Sequence, residues 1–362
     1  MTSVTTQHPP VSILNVADKN PIFLPKGLFM STLSLRNIFN KPNEFDIQLL
    51  KNFLNRNYLT YGHLIYQNSP VTLYKMLGRT TQFCIHNGKE IIGFIGRTHV
   101  SINISQKKYN GVEIGFLSID PKYRNKNLAH TLIRKVTKEE VDTRNPIAIF
   151  VANPKLVSKH FSEVLCSFKI YIRYFNAGKY RKLGFLKDKI VHENITDLNK
   201  KFPFQIRELR PNEIKKYHSD YMQYLRKKYY VYYDYDFQTF QDFFVNKSKI
   251  RTYCIYDDDK MLDYISIEVV LNKNQTGEIL TTGKLFAYTN NVVNIEMILD
   301  FFTVVCYQLG MDSAMYQTYG EISKIQQPPT GYSFTSNINM FLQNCKLNQK
   351  IPVDKVCISY YY

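Results

Sequence analysis

Two short runs rich in β-branched and aromatic residues, Phe83-Cys84-Ile85-His86 and Ile91-Ile92-Gly93-Phe94-Ile95, flank the polar step Asn87-Gly88-Lys89-Glu90. Asn-Gly tolerates the positive φ that a tight turn needs, so the stretch predicts a β-hairpin. Residues 112–119 (Val112-Glu113-Ile114-Gly115-Phe116-Leu117-Ser118-Ile119) predict a further strand. Over residues 127–140, Leu128, Leu132, Ile133 and Val136 recur at spacings of three and four, which predicts an amphipathic helix.

The same order returns at a constant offset of 170 residues. Tyr253-Cys254-Ile255-Tyr256 and Met261-Leu262-Asp263-Tyr264-Ile265 flank Asp257-Asp258-Asp259, residues 282–289 repeat the strand, and residues 297–310 repeat the helix with Met297, Ile298, Phe301, Val304 and Val305. Two unrelated domains could share one hairpin by chance. Sharing hairpin, strand and helix without a gap points to an internal duplication. Asn199-Lys200-Lys201-Phe202-Pro203 and Arg210-Pro211-Asn212-Glu213 lie between the copies, so the boundary is expected near residue 200. Pro211 should open a helix bearing Ile214, Tyr217, His218, Tyr221 and Leu225.

A chain of 362 residues is long enough for two domains or one duplicated unit with a sizeable core. No stretch has the roughly 18 uncharged apolar residues of a membrane span, and no signal-peptide pattern opens the chain, so a soluble cytoplasmic protein is expected. The six cysteines (Cys84, Cys166, Cys254, Cys306, Cys345, Cys357) form no C-x-x-C pair and sit in apolar surroundings, which favours small buried hydrophobes over a metal site. The net charge of +17 suits an anionic partner such as a phosphorylated cofactor, an anionic lipid or a nucleic acid, and richness in Lys, Asn, Ile and Tyr from an AT-rich genome is the other reading.

One loop makes that choice concrete. After Ile119, Asp120-Pro121-Lys122-Tyr123-Arg124-Asn125-Lys126-Asn127-Leu128-Ala129 leads into the helix. Unsatisfied N–H groups and the positive dipole end of a helix start, with Lys122, Arg124 and Lys126 beside them, would hold a pyrophosphate well. The alternative reading of such a loop is a solvated basic turn.

The arrangement of strand, D-P-x-x-R-x-x-x-x-A and helix resembles the acyl-CoA loop of GCN5-related N-acetyltransferases (GNAT). Residues 112–133 resemble more closely the N-myristoyltransferase signature E-I-N-F-L-C-V-x-x-x-x-R-S-K-R-L-A-P-x-L-I. Leu24-Pro25-Lys26-Gly27-Leu28, Asn55-Arg56-Asn57-Tyr58-Leu59, Arg173-Tyr174-Phe175, Arg181-Lys182-Leu183, Tyr288-Thr289-Asn290 and Asp354-Lys355-Val356-Cys357-Ile358 resemble further motifs of that family in the same order.

The resemblance implies an α+β fold of two fused GNAT-like halves with mixed sheets flanked by helices. Residues 1–200 would bind acyl-CoA. Residues 201–362 would bind peptide, with the C-terminus returning to the active site. The implied activity is transfer of myristoyl from myristoyl-CoA to the N-terminal glycine of proteins, by a monomer without metal, nucleic acid or stable membrane insertion. The backbone N–H groups of Phe116 and Leu117 would form the oxyanion hole, and the terminal carboxylate of Tyr362 would be the base. Phe116, Leu117, Ser118, Ile119, Arg124, Asn125, Lys126, Asn127, Leu128 and Ala129 would line the acyl-CoA site, and Tyr58, Gly115, Val151, Tyr174, Asn176, Tyr288 and Asn290 the peptide site.

Several positions depart from the family pattern. Thr60-Tyr61-Gly62-His63 replaces an acidic run, Gly115 an asparagine, Val151 a threonine and Asn176 a histidine, so drift in acyl length and peptide preference is expected. Other readings are an acetyltransferase of altered specificity, an inactive descendant, or a nucleic-acid-binding module using Arg226-Lys227-Lys228-Tyr229-Tyr230-Val231-Tyr232-Tyr233.

Overall fold

Both predicted hairpins form, each followed by its predicted strand and helix. In the first copy, β5 (Gln82–His86), β6 (Ile91–Ile104) and β7 (Lys107–Ile119) form a meander that leads into α3 (Leu128–Asp142). In the second, β12 (Ile250–Asp257), β13 (Lys260–Lys273) and β14 (Ile279–Tyr288) do the same before α7 (Ile295–Gln308). The turns carry the expected positive φ at Gly88 (90°) and Asp258 (49°). The computed structural model describes residues 11–14, 21–37, 39–61, 64–67, 70–144, 147–152, 162–184, 186, 204–245, 249–274 and 277–359; of 59–61, 64–66 and 71 it describes the backbone alone.

Around these units lie β1 (Val11–Ile13), β2 (Phe29–Leu33), α1 (Glu44–Asn57), β3 (Leu59–Tyr61), β4 (Leu64–Tyr66) and α2 (Pro70–Leu77). β8 (Ile147–Ala152), β9 (Ser162–Tyr174), α4 (Ala177–Lys182) and β10 (Gln205–Glu208) follow α3. α5 (Ile214–Lys228), β11 (Val231–Tyr233) and α6 (Phe237–Phe244) precede the second hairpin. The chain closes with β15 (Ser313–Gln317), β16 (Ser333–Gln343), β17 (Cys345–Leu347) and β18 (Val356–Cys357). The boundary expected near residue 200 falls outside the described residues.

The predicted helix after Pro211 is present as a short 3-10 turn, Pro211–Glu213, running into α5. The Glu213 carboxylate accepts from the Arg210 N–H and from the Arg207 guanidinium, which fixes this entry and holds the carboxyl down at about 2.

One continuous sheet joins the two copies, in the order β10-β12-β13-β14-β15-β9-β16-β8-β7-β6-β11-β18. Late strands enter the early part: β16 lies between β8 and β9, antiparallel to both, and β11 pairs with β6. β7 and β8 run parallel from Gly111↔Ile147 to Ile114↔Phe150, and beyond that no paired position follows among the described residues. The central core fills the space between the copies: Phe53 and Leu54 of α1, Phe94 of β6, Phe116 of β7, Tyr217 and Tyr221 of α5, and Phe240 and Phe244 of α6 all belong to it. A smaller core under α3 contains Ile92, Ile95, Leu128, Leu132 and Val136, and another under α7 contains Ile265, Ile298, Phe301 and Phe302.

Candidate active site

The end of β7 departs from regular pairing. Phe94 pairs with Ser118 and Gly96 with Gly115, so Ile95 alone faces both Phe116 and Leu117. This is a β-bulge. Phe116 sits there at φ 55°, a region costly for a bulky side chain, and its 4% exposure shows that the central core holds it in place. Leu117 is 38% exposed at the strand end.

The loop that follows is built by its own polar residues. The Asp120 carboxylate accepts from the Lys122 N–H, a 3-10 turn spans Pro121–Tyr123, and the Arg124 Nε donates to the Ile119 carbonyl at 3.3 Å. Asn125 and Asn127 adopt positive φ (65° and 58°), which Asn tolerates better than most residues. The start of α3 has no side-chain cap, so its first-turn N–H groups face outward. Ile119, Tyr123, Arg124, Asn125, Asn127, Leu128, Ala129 and His130 line an open cavity of about 330 Å³ there. Lys126 lies over the Tyr123 ring, its Nζ 5.0 Å from the centroid. Ser118 is buried at the strand end just before.

On the opposite side of β7, facing the central core, the structure gathers another group of the expected residues. The Tyr58 ring, at the C-cap of α1, packs on Phe116 with centroids 5.4 Å apart. Gly115 faces this side with its neighbour Gly96, and Val151, half-buried against the central core, lies on β8 just past the last β7–β8 pair. Burial and the nearby Glu268 push the Tyr58 hydroxyl up to about 12.

The other expected residues are held by partners of their own. Asn176 caps α4, accepting from the Lys179 N–H and donating to Asp312 Oδ1 at 3.2 Å, and Tyr174 stacks edge-on against Tyr180. The Tyr288 hydroxyl accepts from the Ile322 N–H, while Asn290 Oδ1 accepts from the Tyr224 hydroxyl (2.6 Å) and Lys228 Nζ (2.8 Å). Tyr362 lies outside the described residues. Ser359 is buried, its carbonyl accepting from the Tyr235 hydroxyl at 3.4 Å. In the basic stretch 226–233, Tyr229, Tyr232 and Tyr233 are buried, so these rings form no exposed stacking platform.

The sequence reading missed a charged cluster in the central core. Glu268 of β13 and Lys284 of β14 are direct cross-strand neighbours, and Lys249 closes the group, with Nζ–Oε distances of 3.0 Å (Lys249) and 3.1 Å (Lys284). All three are within 5% of full burial. Burial lowers both lysines from their ordinary range, and the two ammonium groups hold the Glu268 carboxyl down despite its burial. Glu268 inside the apolar run Ile265–Leu271 and Lys284 directly before Leu285-Phe286-Ala287 were the available signal.

The chain has the fold of N-myristoyltransferase and of GCN5-related N-acetyltransferases. Two solved structures share it. *Saccharomyces cerevisiae* N-myristoyltransferase with bound myristoyl-CoA superposes with a TM-score of 0.68 at 15% identity, covering 92% of this chain and 87% of that one. A GCN5-related N-acetyltransferase from *Anabaena variabilis* superposes with a TM-score of 0.52 at 15% identity, over 87% and 72%. Residues 11–162 match the family model for the N-terminal domain of myristoyl-CoA:protein N-myristoyltransferase. A putative glycylpeptide N-tetradecanoyltransferase of Amsacta moorei entomopoxvirus is 29% identical over 115 residues, 32% of this chain and 37% of that relative, so the likeness spans little more than a third of its length. Over residues 11–162 the chain is thus similar to the N-terminal domain of N-myristoyltransferases, and over its length it shares their fold.

Proposed function

We propose that this protein transfers a fatty acyl group, myristoyl, from its CoA thioester to the N-terminal glycine amine of other proteins. The observation that carries this reading is the interrupted pairing at Phe116–Leu117 directly before an open, basic, uncapped helix start. The residues present fit acyl-CoA. Lys122, Arg124, Lys126 and the first-turn N–H groups of α3 would hold the diphosphate. The N–H groups of Phe116 and Leu117 would donate to the thioester oxygen as it gains charge, a contribution on the order of 3 kcal/mol for one well-placed donor because a fixed backbone needs no reorganisation.

The acceptor would approach from the central-core side, past Tyr58, Gly115 and Val151. A glycine α-ammonium has a pKa of about 8, so part of it is already neutral at pH 7 and only a modest proton acceptor is required. Residues up to about 200 would thus serve the acyl donor and residues 201–362 the acceptor. Six free, buried cysteines suit a reducing compartment, and we place the activity in the cytoplasm. No helix among the described residues is long and apolar enough to cross a membrane.

The test is incubation with myristoyl-CoA and peptides that begin with Gly or Ala, read by mass. Gly-peptides should gain the acyl group and Ala-peptides should not. A triple Lys122→Ala, Arg124→Ala, Lys126→Ala variant should weaken acyl-CoA binding by about 10- to 100-fold. Acyl-CoA binding unchanged in that variant would overturn the assignment of the loop.

A further inference from the structure

The register of the first copy brings three turns to one end of the sheet. Phe29, the first residue of β2, pairs with His86, the last of β5; His86 pairs with Ile91, the first of β6; and Gly93 pairs with Ile119, the last of β7. The segment before β2, the hairpin tip 87–90 and the basic loop after Ile119 therefore lie side by side. Neighbouring strands are about 4.8 Å apart, which puts the first of these within roughly 15 Å of the last. The open cavity at the start of α3 sits at this same end.

The segment before β2 divides its apolar residues between inside and outside. Leu24, Leu28 and Met30 pack into the small core under α3, and the Leu28 N–H donates to the Pro25 carbonyl at 3.1 Å across a turn with Gly27 at φ 80°. Phe23 and Phe29, on the same anchored segment, are 79% and 56% exposed, with Lys26 exposed at the turn between them. Single exposed apolar residues are ordinary. Two phenylalanines on one fixed turn concentrate roughly 200–300 Å² of aromatic surface in one place.

Their surroundings are basic. Lys26, Lys89, Lys122, Arg124 and Lys126 are all exposed at this end. Of the acidic residues there, Glu90 lies 3.8 Å from Arg56, and the Asp120 carboxylate accepts from the Lys122 N–H. Aromatic rings on turns flanked by lysines suit an anionic lipid surface, where the rings enter the headgroup layer and the ammonium groups stay with the phosphates. Lipid is preferred to nucleic acid on the acyl-CoA reading above: a fatty acyl-CoA partitions into bilayers, and its proposed cavity lies at this end.

We propose that this end of the molecule docks on an anionic bilayer, with Phe23 and Phe29 entering the headgroup region and Lys26 and Lys89 facing the lipid phosphates. Docked in this way, the protein would meet its acyl donor in the leaflet that holds it.

The experiment sediments the whole protein, without acyl-CoA, with vesicles of phosphatidylcholine alone or of phosphatidylcholine and phosphatidylserine. The wild type should bind the anionic vesicles at least about tenfold more tightly. Phe23→Ser with Phe29→Ser, and separately Lys26→Glu with Lys89→Glu, should each weaken that binding by about tenfold or more, while affinity for a non-hydrolysable myristoyl-CoA thioether in solution stays within about twofold. The chain has no tryptophan, so Phe29→Trp supplies a single fluorophore whose emission should move to the blue on adding anionic vesicles. Vesicle binding that survives the two serine changes overturns the inference, as does an emission shift with single-stranded RNA but not with vesicles. A wild type that ignores vesicles and forms a dimer split by the serine changes also overturns it, since a second copy then covers the patch. Each of these results leaves acyl transfer to Gly-peptides in solution untouched. A wild type that binds vesicles but not the thioether leaves the docking standing and removes the proposed function instead.

Discussion

The two copies of the hairpin, strand and helix unit have opposite fates at the same point. Phe286 is the counterpart of Phe116 at the 170-residue offset, and β14 also carries an extra residue there, between Leu285 (paired with Ile267) and Ala287 (paired with Ser266). Yet Phe116 is held at φ 55° while Phe286 is not among the residues of positive φ. The loops diverge further. Asn127 leaves the start of α3 uncapped, whereas the Asn294 side chain caps α7 by accepting from the Met297 N–H at 2.8 Å.

The deeper contrast lies one strand away. Asp263, the counterpart of Gly93, is fully buried and its carboxylate accepts from the N–H groups of Asn291, Val292 and Val293 at 2.7–2.9 Å. The protein's own carboxylate thus ties down, in the second copy, the loop amides just before the Asn294 cap. In the first copy glycine stands at that position, and the counterpart loop is fastened by its own Asp120, whose carboxylate accepts from the Lys122 N–H and whose carbonyl accepts from the Tyr123 N–H. The two loops are thus held by different aspartates, one from the sheet and one from the loop itself.

Removing the internal anion should have the largest effect. Asp263→Ala strands three N–H groups and should cost about 3 kcal/mol or more of stability, read by urea denaturation, with acyl-CoA affinity little changed in the protein that remains folded. Next comes the transplant: Gly93→Asp places a carboxylate behind the first loop, and its Cβ would meet Ile119 Cδ1 at 2.8 Å and Leu132 Cδ1 at 3.3 Å. It should lower acyl-CoA affinity by about 100-fold, measured by calorimetry, with Gly93→Ala as the control that separates crowding from charge. If Gly93→Asp binds acyl-CoA as the wild type does, the first loop is not the seat of the diphosphate.

The smallest expected effect is on pH dependence at the entry to α5. Arg207 lowers the Glu213 carboxyl to about 2, so the stability it contributes is fully present above the ordinary carboxylate range and is lost as pH falls through about 2. Glu213→Gln should flatten the urea midpoint between about pH 4.5 and 2 relative to wild type.

What the sequence made visible was local. Asn87-Gly88 announces its hairpin, Pro211 its helix, and the basic loop after Ile119 its helix start, because each acts through its own backbone neighbours. The bulge at Phe116 could be placed only through the family signature, since nothing in Gly115-Phe116-Leu117 demands positive φ. Pairing between β16 and β9, and between β11 and β6, joins residues far apart in the chain and leaves no periodic mark. The Lys249–Glu268–Lys284 group was similarly hidden: each residue reads as a surface charge until cross-strand register brings them together under the central core.

The position of β16 has a consequence for how the molecule comes into being. Because the strand Ser333–Gln343 fills the gap between β8 and β9, a nascent chain released as far as the early strands holds two unsatisfied sheet edges. Those edges wait for a strand that begins only at Ser333, and a ribosome adding about 5–20 residues per second takes on the order of ten seconds or more to supply it. Over that interval the unfinished sheet would depend on chaperones, and a truncation before Ser333 would aggregate instead of yielding a smaller binding domain.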